Sequence, residues 1–144
     1  MVDPTPEELL AAHRTQEKNI AIVKTALDAF NSGDTEAFLS NFSDEMHFQM
    51  NGSHQFSNHC SSKAEFVELV GRVVQGLDEM ITLEIKNLIP AGDWVVVETY
   101  GNATAKSGEP YRNTYCMIWH LEDGKIVEFR EHNDSALVEK MFPA

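Results

Sequence analysis

The chain has 144 residues, enough for one ordinary domain that buries its core without metal or disulfide staples. Twenty-three acidic against eleven basic residues give a formal net charge of −12, which repels phosphate backbones and anionic lipid headgroups and argues against nucleic acid and membrane surfaces as partners. The opening stretch is charged throughout and lacks the apolar run of a secretory signal, and only Cys60 and Cys116 are present, wrongly spaced for a CxxC motif, so a cytoplasmic protein with free thiols is the expectation.

Thr5-Pro6-Glu7-Glu8 has the form of a capping box with proline at the first helical position, and Leu9, Ile20, Val23, Leu27 and Phe30 recur at helical spacing. They predict a helix from about Pro6 to Asn31, stopped by Asn31-Ser32-Gly33. Asp34 caps a short second helix through Ala37, Phe38 and Leu39. Met46, Phe48 and Met50 alternate with polar residues up to Gly52, a half-buried strand. After a loop rich in Ser, Asn and His, Ser62-Lys63-Ala64-Glu65 opens a helix whose apolar face carries Phe66, Leu69, Val70, Val73 and Val74. Beyond Gly76 the period changes from 3.6 to 2, and strands are expected at Met80 to Ile89, Trp94 to Ala105, Tyr111 to Glu122 and Lys125 to Asn133. Asp123-Gly124 supplies a tight turn before the last of these, and Asp134 sits where the N-cap of a final helix, Ser135 to Met141, belongs. Segregated helices followed by a long meander argue an α+β domain spanning residues 1–144.

The last strand is the most informative. Strict alternation puts Val127, Phe129, Glu131 and Asn133 on one face and Glu128, Arg130 and His132 on the other. Glu131 therefore stands at the end of an apolar row, where lost hydration raises a carboxyl pKa toward neutrality and suits it to proton exchange. The competing readings are that the strand has already reached solvent at this point, or that the acid is held in an ion pair. Asn113 and Tyr115 on one neighbouring strand and Tyr100 and Asn102 on another are candidate hydrogen-bond donors to a substrate oxygen. Phe48, Met50, Met117, Trp119 and Phe129 are candidate apolar lining, with Asn133 beside the acid. Asp134 reads as a cap. His47, His54, His59 and Cys60 match no metal-ligand spacing, so no metal and no cofactor are expected, although His54 or His59 can carry protons if it borders a pocket.

The run Ala29-Phe30-Asn31-Ser32-Gly33-Asp34, the strand Met46 to Gly52 and the stretch from Asp123 through Glu128 to Asp134 resemble the SnoaL-like polyketide cyclase family. That family belongs to the nuclear-transport-factor-2-like superfamily, with ketosteroid isomerase and limonene epoxide hydrolase as relatives. The resemblance extends from about Asn19 to Phe142. It implies a cone-shaped, strongly curved antiparallel sheet of the cystatin-like roll, with helices packed on the concave face around a pocket. It implies a homodimer through the outer face of the sheet, where Arg112, Cys116, Ile118, His120, Arg130 and His132 would lie. Glu131 aligns with the catalytic carboxylate of the cyclases and of the epoxide hydrolase. The isomerase's tyrosine, general base and second oxyanion donor align with Ala26, Met50 and Met117, and the hydrolase's arginine and aspartate with Tyr100 and Asn102, so neither of those constellations carries over. The resemblance thus implies a cofactor-independent enzyme that moves a proton on a hydrophobic, carbonyl-containing small molecule. A non-catalytic module of the same fold, binding a small molecule or a protein, is the alternative.

Overall fold

The computed structural model describes residues 2–143. Helix α1 spans Pro6–Asn31 and begins with the capping box: Thr5 Oγ1 accepts from the Glu8 N–H at 3.1 Å, and the Glu8 carboxylate accepts from the Thr5 N–H at 2.7 Å. Only its second half packs. Val23, Ala26 and Leu27 are buried, while Leu9 and Leu10 project into solvent. Asn31 ties the end of α1 to the sheet by imitating a strand, its amide donating to the Leu83 carbonyl and accepting from the Leu83 N–H, both at 2.8 Å. Gly33 takes the left-handed conformation that ends the helix, and Asp34 caps α2 (Thr35–Leu39) through the Ala37 N–H.

Strand β1 (Phe42–Met50) starts four residues before the expected Met46, and β2 (His59–Cys60) is a short edge strand that no periodicity foretold. Helix α3 (Lys63–Gln75) is capped by Ser62. The meander follows as β3 (Leu77–Ala91), β4 (Trp94–Ala105), β5 (Pro110–Glu122) and β6 (Lys125–Asn133), and α4 (Ser135–Met141) ends it. Asp123 and Gly124 both adopt positive φ, at 48° and 78°, as a two-residue hairpin turn with right-handed strand twist requires.

The six strands form one curved, unclosed sheet in the order β2-β1-β6-β5-β4-β3. Every pairing is antiparallel except β1 with β6, which run parallel in the register Phe48↔Phe129 and Met50↔Glu131. This parallel pairing brings the early strand beside the last one and completes the inner face. The core gathers there as an aromatic cluster: Trp119 stacks on Phe129 with centroids 4.0 Å apart, Phe48 lies 5.2 Å from Phe129, and Phe66 of α3 closes over both Phe48 and Phe129. Such pairs add about 0.5–1.5 kcal/mol each beyond their burial, so the sheet and α3 are fastened together at the floor of the concave side.

Val127 departs from the expected alternation. Leu121 pairs with Ile126 and His120 with Glu128, which leaves Val127 unpaired as a β-bulge. Ile126 and Phe129 point inward and are buried, whereas Val127 lines an outer groove with Glu128. The bulge resets the parity, so Phe129 and Glu131 keep the inner face that simple alternation gave them.

Candidate functional site

Cross-strand register turns the inner face into a grid. One row runs Phe48–Phe129–Trp119–Val95 across β1, β6, β5 and β4, the next runs Met50–Glu131–Met117–Val97, and a third joins Asn133, Tyr115 and Thr99. Together with α1, α3 and α4 these rows enclose a cavity of about 100 Å³. Its lining is apolar apart from Glu131, Asn133, Tyr111, Tyr115 and the Trp119 indole, and Glu131 is the one charged residue in it among those described.

A carboxyl between two methionines has few partners. Its only side-chain hydrogen bond among the described residues comes from Asn133 Nδ2, 3.2 Å from Oε2. Burial pushes the Glu131 pKa up from 4.5 to about 7, against the smaller opposing effect of the Asn133 bond. The residue as a whole keeps partial solvent access. Near neutral pH both protonation states are populated, which a group that takes and returns a proton needs. The segment is held by Asn51, whose side chain extends the β1–β6 pairing: Nδ2 donates to the Asn133 carbonyl at 3.1 Å and Oδ1 accepts from the Asn133 N–H at 3.0 Å. No periodicity singles out Asn51.

A hydroxyl and amide cluster occupies the β5 side. Asn113 Nδ2 donates to Tyr111 Oη at 2.9 Å, and Tyr115 Oη donates to the same oxygen at 3.1 Å. Burial raises both phenol pKa values, and the Glu131 charge raises each further. Gly101, opposite Asn113 on β4, makes room for this cluster, since a Cβ there would lie 2.6 Å from Tyr115 Cε2. Asn133 Oδ1 and Trp119 Nε1, on residues that line the cavity, are buried without a hydrogen-bond partner among the described residues. Such groups cost stability unless something meets them, and a polar ligand atom at the cavity wall would do so.

Of the sequence candidates, Phe48, Met50, Tyr115, Met117, Trp119, Phe129, Glu131 and Asn133 come together around the cavity. Tyr100 and Asn102 do not. On β4 the inner positions are Val95, Val97, Thr99 and Gly101, so Tyr100 and Asn102 face outward, where Lys86 lies over the Tyr100 ring and Asn102 accepts from Arg112 Nε at 3.1 Å. Asn113 is buried but does not line the cavity. Its amide is consumed by Tyr111 and by the Asp134 backbone. Tyr111, absent from the candidates, does line it. Asp134 caps α4 through the Leu137 N–H at 3.2 Å.

The histidines lie elsewhere. His54 is buried, its Nδ1 accepts from the Phe56 N–H at 3.1 Å, and burial lowers its pKa. His59 is exposed and stacks on His47 beside the outer groove. Neither borders the cavity. The described residues contain no group of three or more His, Cys, Asp or Glu side chains disposed to hold a metal ion. No helix among them is long and apolar enough to cross a membrane.

A curved sheet that wraps a lined cavity under helices is the architecture of the nuclear-transport-factor-2-like and cystatin-like folds, and solved structures of that class superpose on this one. An NTF2-like protein of unknown function from Burkholderia pseudomallei matches with a TM-score of 0.81 at 20% identity, covering 88% of this chain and 98% of its own. TerC, co-crystallised with polyporic acid, matches at 0.79 and 20% identity over 88% and 99% of the two chains. A putative isomerase from Bacillus subtilis matches at 0.76 and 17% identity over 89% and 94%. At these identities the likeness is one of fold. The chain belongs to the SnoaL-like domain family, whose model matches residues 23–129. Comparison with curated proteins finds no match.

Proposed function

We propose that the protein is a small acid/base enzyme that moves a proton on a hydrophobic carbonyl compound, with Glu131 as the proton carrier. The observation that supports it most is the carboxyl of Glu131, paired with no cation among the described residues and titrating near 7, in a cavity otherwise lined by apolar and hydrogen-bonding side chains. In the carboxylate form Glu131 takes a proton from the carbon next to the carbonyl. The C–H electrons form the enolate, and the negative charge settles on oxygen. Glu131 then returns the proton to another carbon in an isomerisation, or delivers it to a departing hydroxyl in a dehydration. In a cyclisation the enolate carbon attacks a second carbonyl, whose oxygen takes the proton. No redox change occurs in any branch. Met50, Met117 and Met80 around the cavity have the flexibility to fit ligands of several shapes. The polyporic acid of the TerC crystals is consistent with a ligand inside this kind of fold.

The proposal includes assembly as a homodimer through the outer sheet face, where Cys116, Ile118, His120 and Arg130 lie half-exposed.

Hydrogen–deuterium exchange tests the chemistry without knowledge of the natural substrate. Cyclohexanone and 2-tetralone in D2O are expected to exchange their α-hydrogens faster with the protein than with buffer. Glu131→Gln should remove the acceleration while leaving the fold intact. Wild-type protein that accelerates neither ketone would refute the proposal.

A further inference from the structure

The hydrogen bonds around Tyr111 leave one proton unaccounted for. The Asp134 backbone fixes the orientation of the Asn113 amide from both sides: its N–H donates to Oδ1 at 3.0 Å and its carbonyl accepts from Nδ2 at 3.2 Å. A flipped amide would set donor against donor and oxygen against oxygen. Nδ2 must therefore face Tyr111 Oη, 2.9 Å away, and Tyr115 Oη donates to that same oxygen. A phenol has two acceptor sites and one proton. Both acceptor sites are taken, so the Tyr111 proton points away from Asn113 and Tyr115.

Tyr111 is 2% exposed, and apart from Asn113 and Tyr115, which both donate to it, its hydroxyl meets no hydrogen-bonding group among the described residues. What it does border is the cavity that contains Glu131. Phe142, which also lines the cavity, packs edge-on against its ring with centroids 5.3 Å apart. Two incoming hydrogen bonds polarise the O–H and make it a stronger donor than an isolated phenol. In a water-poor site, a preset donor is worth most against an oxygen that gains negative charge during the reaction.

Resting on the acid/base reading of Glu131, we infer that Tyr111 is the donor that receives the substrate's carbonyl oxygen, with Tyr115 and Asn113 as positioning residues behind it. The substrate class narrows accordingly, to ketones or enones with an acidic hydrogen next to the carbonyl and an apolar body against Met50, Met117 and Trp119. As Glu131 takes the α-proton, the C–H bond breaks, the C=C bond of the enolate forms, and the charge on oxygen is met by the Tyr111 hydroxyl. The phenol keeps its proton throughout, in keeping with the burial that raises its pKa.

A phenolate imitates the enolate oxygen, and 4-nitrophenol reports its own ionisation by visible absorbance. Titration of the wild-type protein near pH 7 should show 4-nitrophenol bound as its anion, the proton having passed to Glu131. Tyr111→Phe keeps the ring and removes the donor, and should weaken anion binding about tenfold or more and shift the bound probe toward its neutral form. Tyr115→Phe removes one of the two bonds into Tyr111 and should weaken anion binding by a smaller factor, about two- to fivefold. This second variant keeps the test decisive if Tyr111→Phe fails to fold. Tyr100→Phe, on the outer face, should bind as wild type. If Tyr111→Phe and Tyr115→Phe bind the anion as tightly as wild type, the inference about Tyr111 is overturned while the apolar site stands. If the wild-type protein binds no 4-nitrophenol, the reading of the cavity fails and this inference fails with it.

Discussion

Replacing Glu131 by Gln should stabilise the protein in a pH-dependent way. The carboxyl titrates at about 7 in the folded protein against 4.5 for the free side chain. At about 1.4 kcal/mol per pH unit that difference corresponds to roughly 3.5 kcal/mol. Partial solvent access reduces it to about 2–3 kcal/mol. Because the folded pKa is raised, the stabilising contribution of neutral Glu131 is fully present below pH 4.5 and is lost as the pH rises to about 7. Gln is neutral throughout and can still accept from Asn133 Nδ2. The two proteins should therefore unfold alike at pH 4, and the variant should lead by about 2–3 kcal/mol at pH 8, or roughly 6–9 °C in melting temperature for a chain of this size. Urea unfolding at half-unit pH steps measures the gap directly. A constant gap, or a variant less stable than wild type at pH 8, would refute the claim that burial sets the titration of this acid.

Asp134→Ala should cost about 1 kcal/mol through the lost α4 cap, read by thermal unfolding, with the activity kept because the backbone clamp on Asn113 does not use the side chain. Gly101→Ala should cost about 1–3 kcal/mol, since its Cβ would meet Tyr115 Cε2 at 2.6 Å, and near-ultraviolet circular dichroism should show the tyrosine displaced. Analytical ultracentrifugation should give a particle of twice 16.2 kDa at micromolar concentration, and a monomer there would count against the outer-face dimer.

Much of the fold was legible because local signals agreed with one another. The capping residues Thr5, Ser62, Asp34 and Asp134 mark where the helices begin. The alternation from Trp94 and from Lys125 gives β4 and β6 with their observed bounds. Non-local pairing was not legible: β2 exists only because β1 is beside it, and the parallel β1–β6 contact joins segments distant in sequence. The face of β4 was misread because Val95-Val96-Val97 does not alternate, and Tyr100 and Asn102 then looked like polar residues facing the acid. Thr99 and Gly101 carried the better signal, since glycine inside a strand marks a close approach, here of the Tyr115 ring. The bulge at Val127 hid behind two consecutive apolar residues. Glu131 kept its inner place because the bulge precedes Phe129. Tyr111 stood at the head of its strand among other aromatics, and its role at the cavity depends on Asn113 and Asp134, which only the folded chain brings to it.

Glu131 is expected to titrate near neutrality inside an apolar cavity. Carbon-13 NMR of protein labelled at the glutamate side-chain carboxyls measures it without any substrate. One resonance, absent from Glu131→Gln, should titrate with a midpoint near 7 and move when 2-tetralone is added. If every glutamate resonance instead titrates between about 4 and 5, or the Glu131 resonance is indifferent to the ketone, Glu131 is an ordinary solvated acid and not the proton carrier of the cavity.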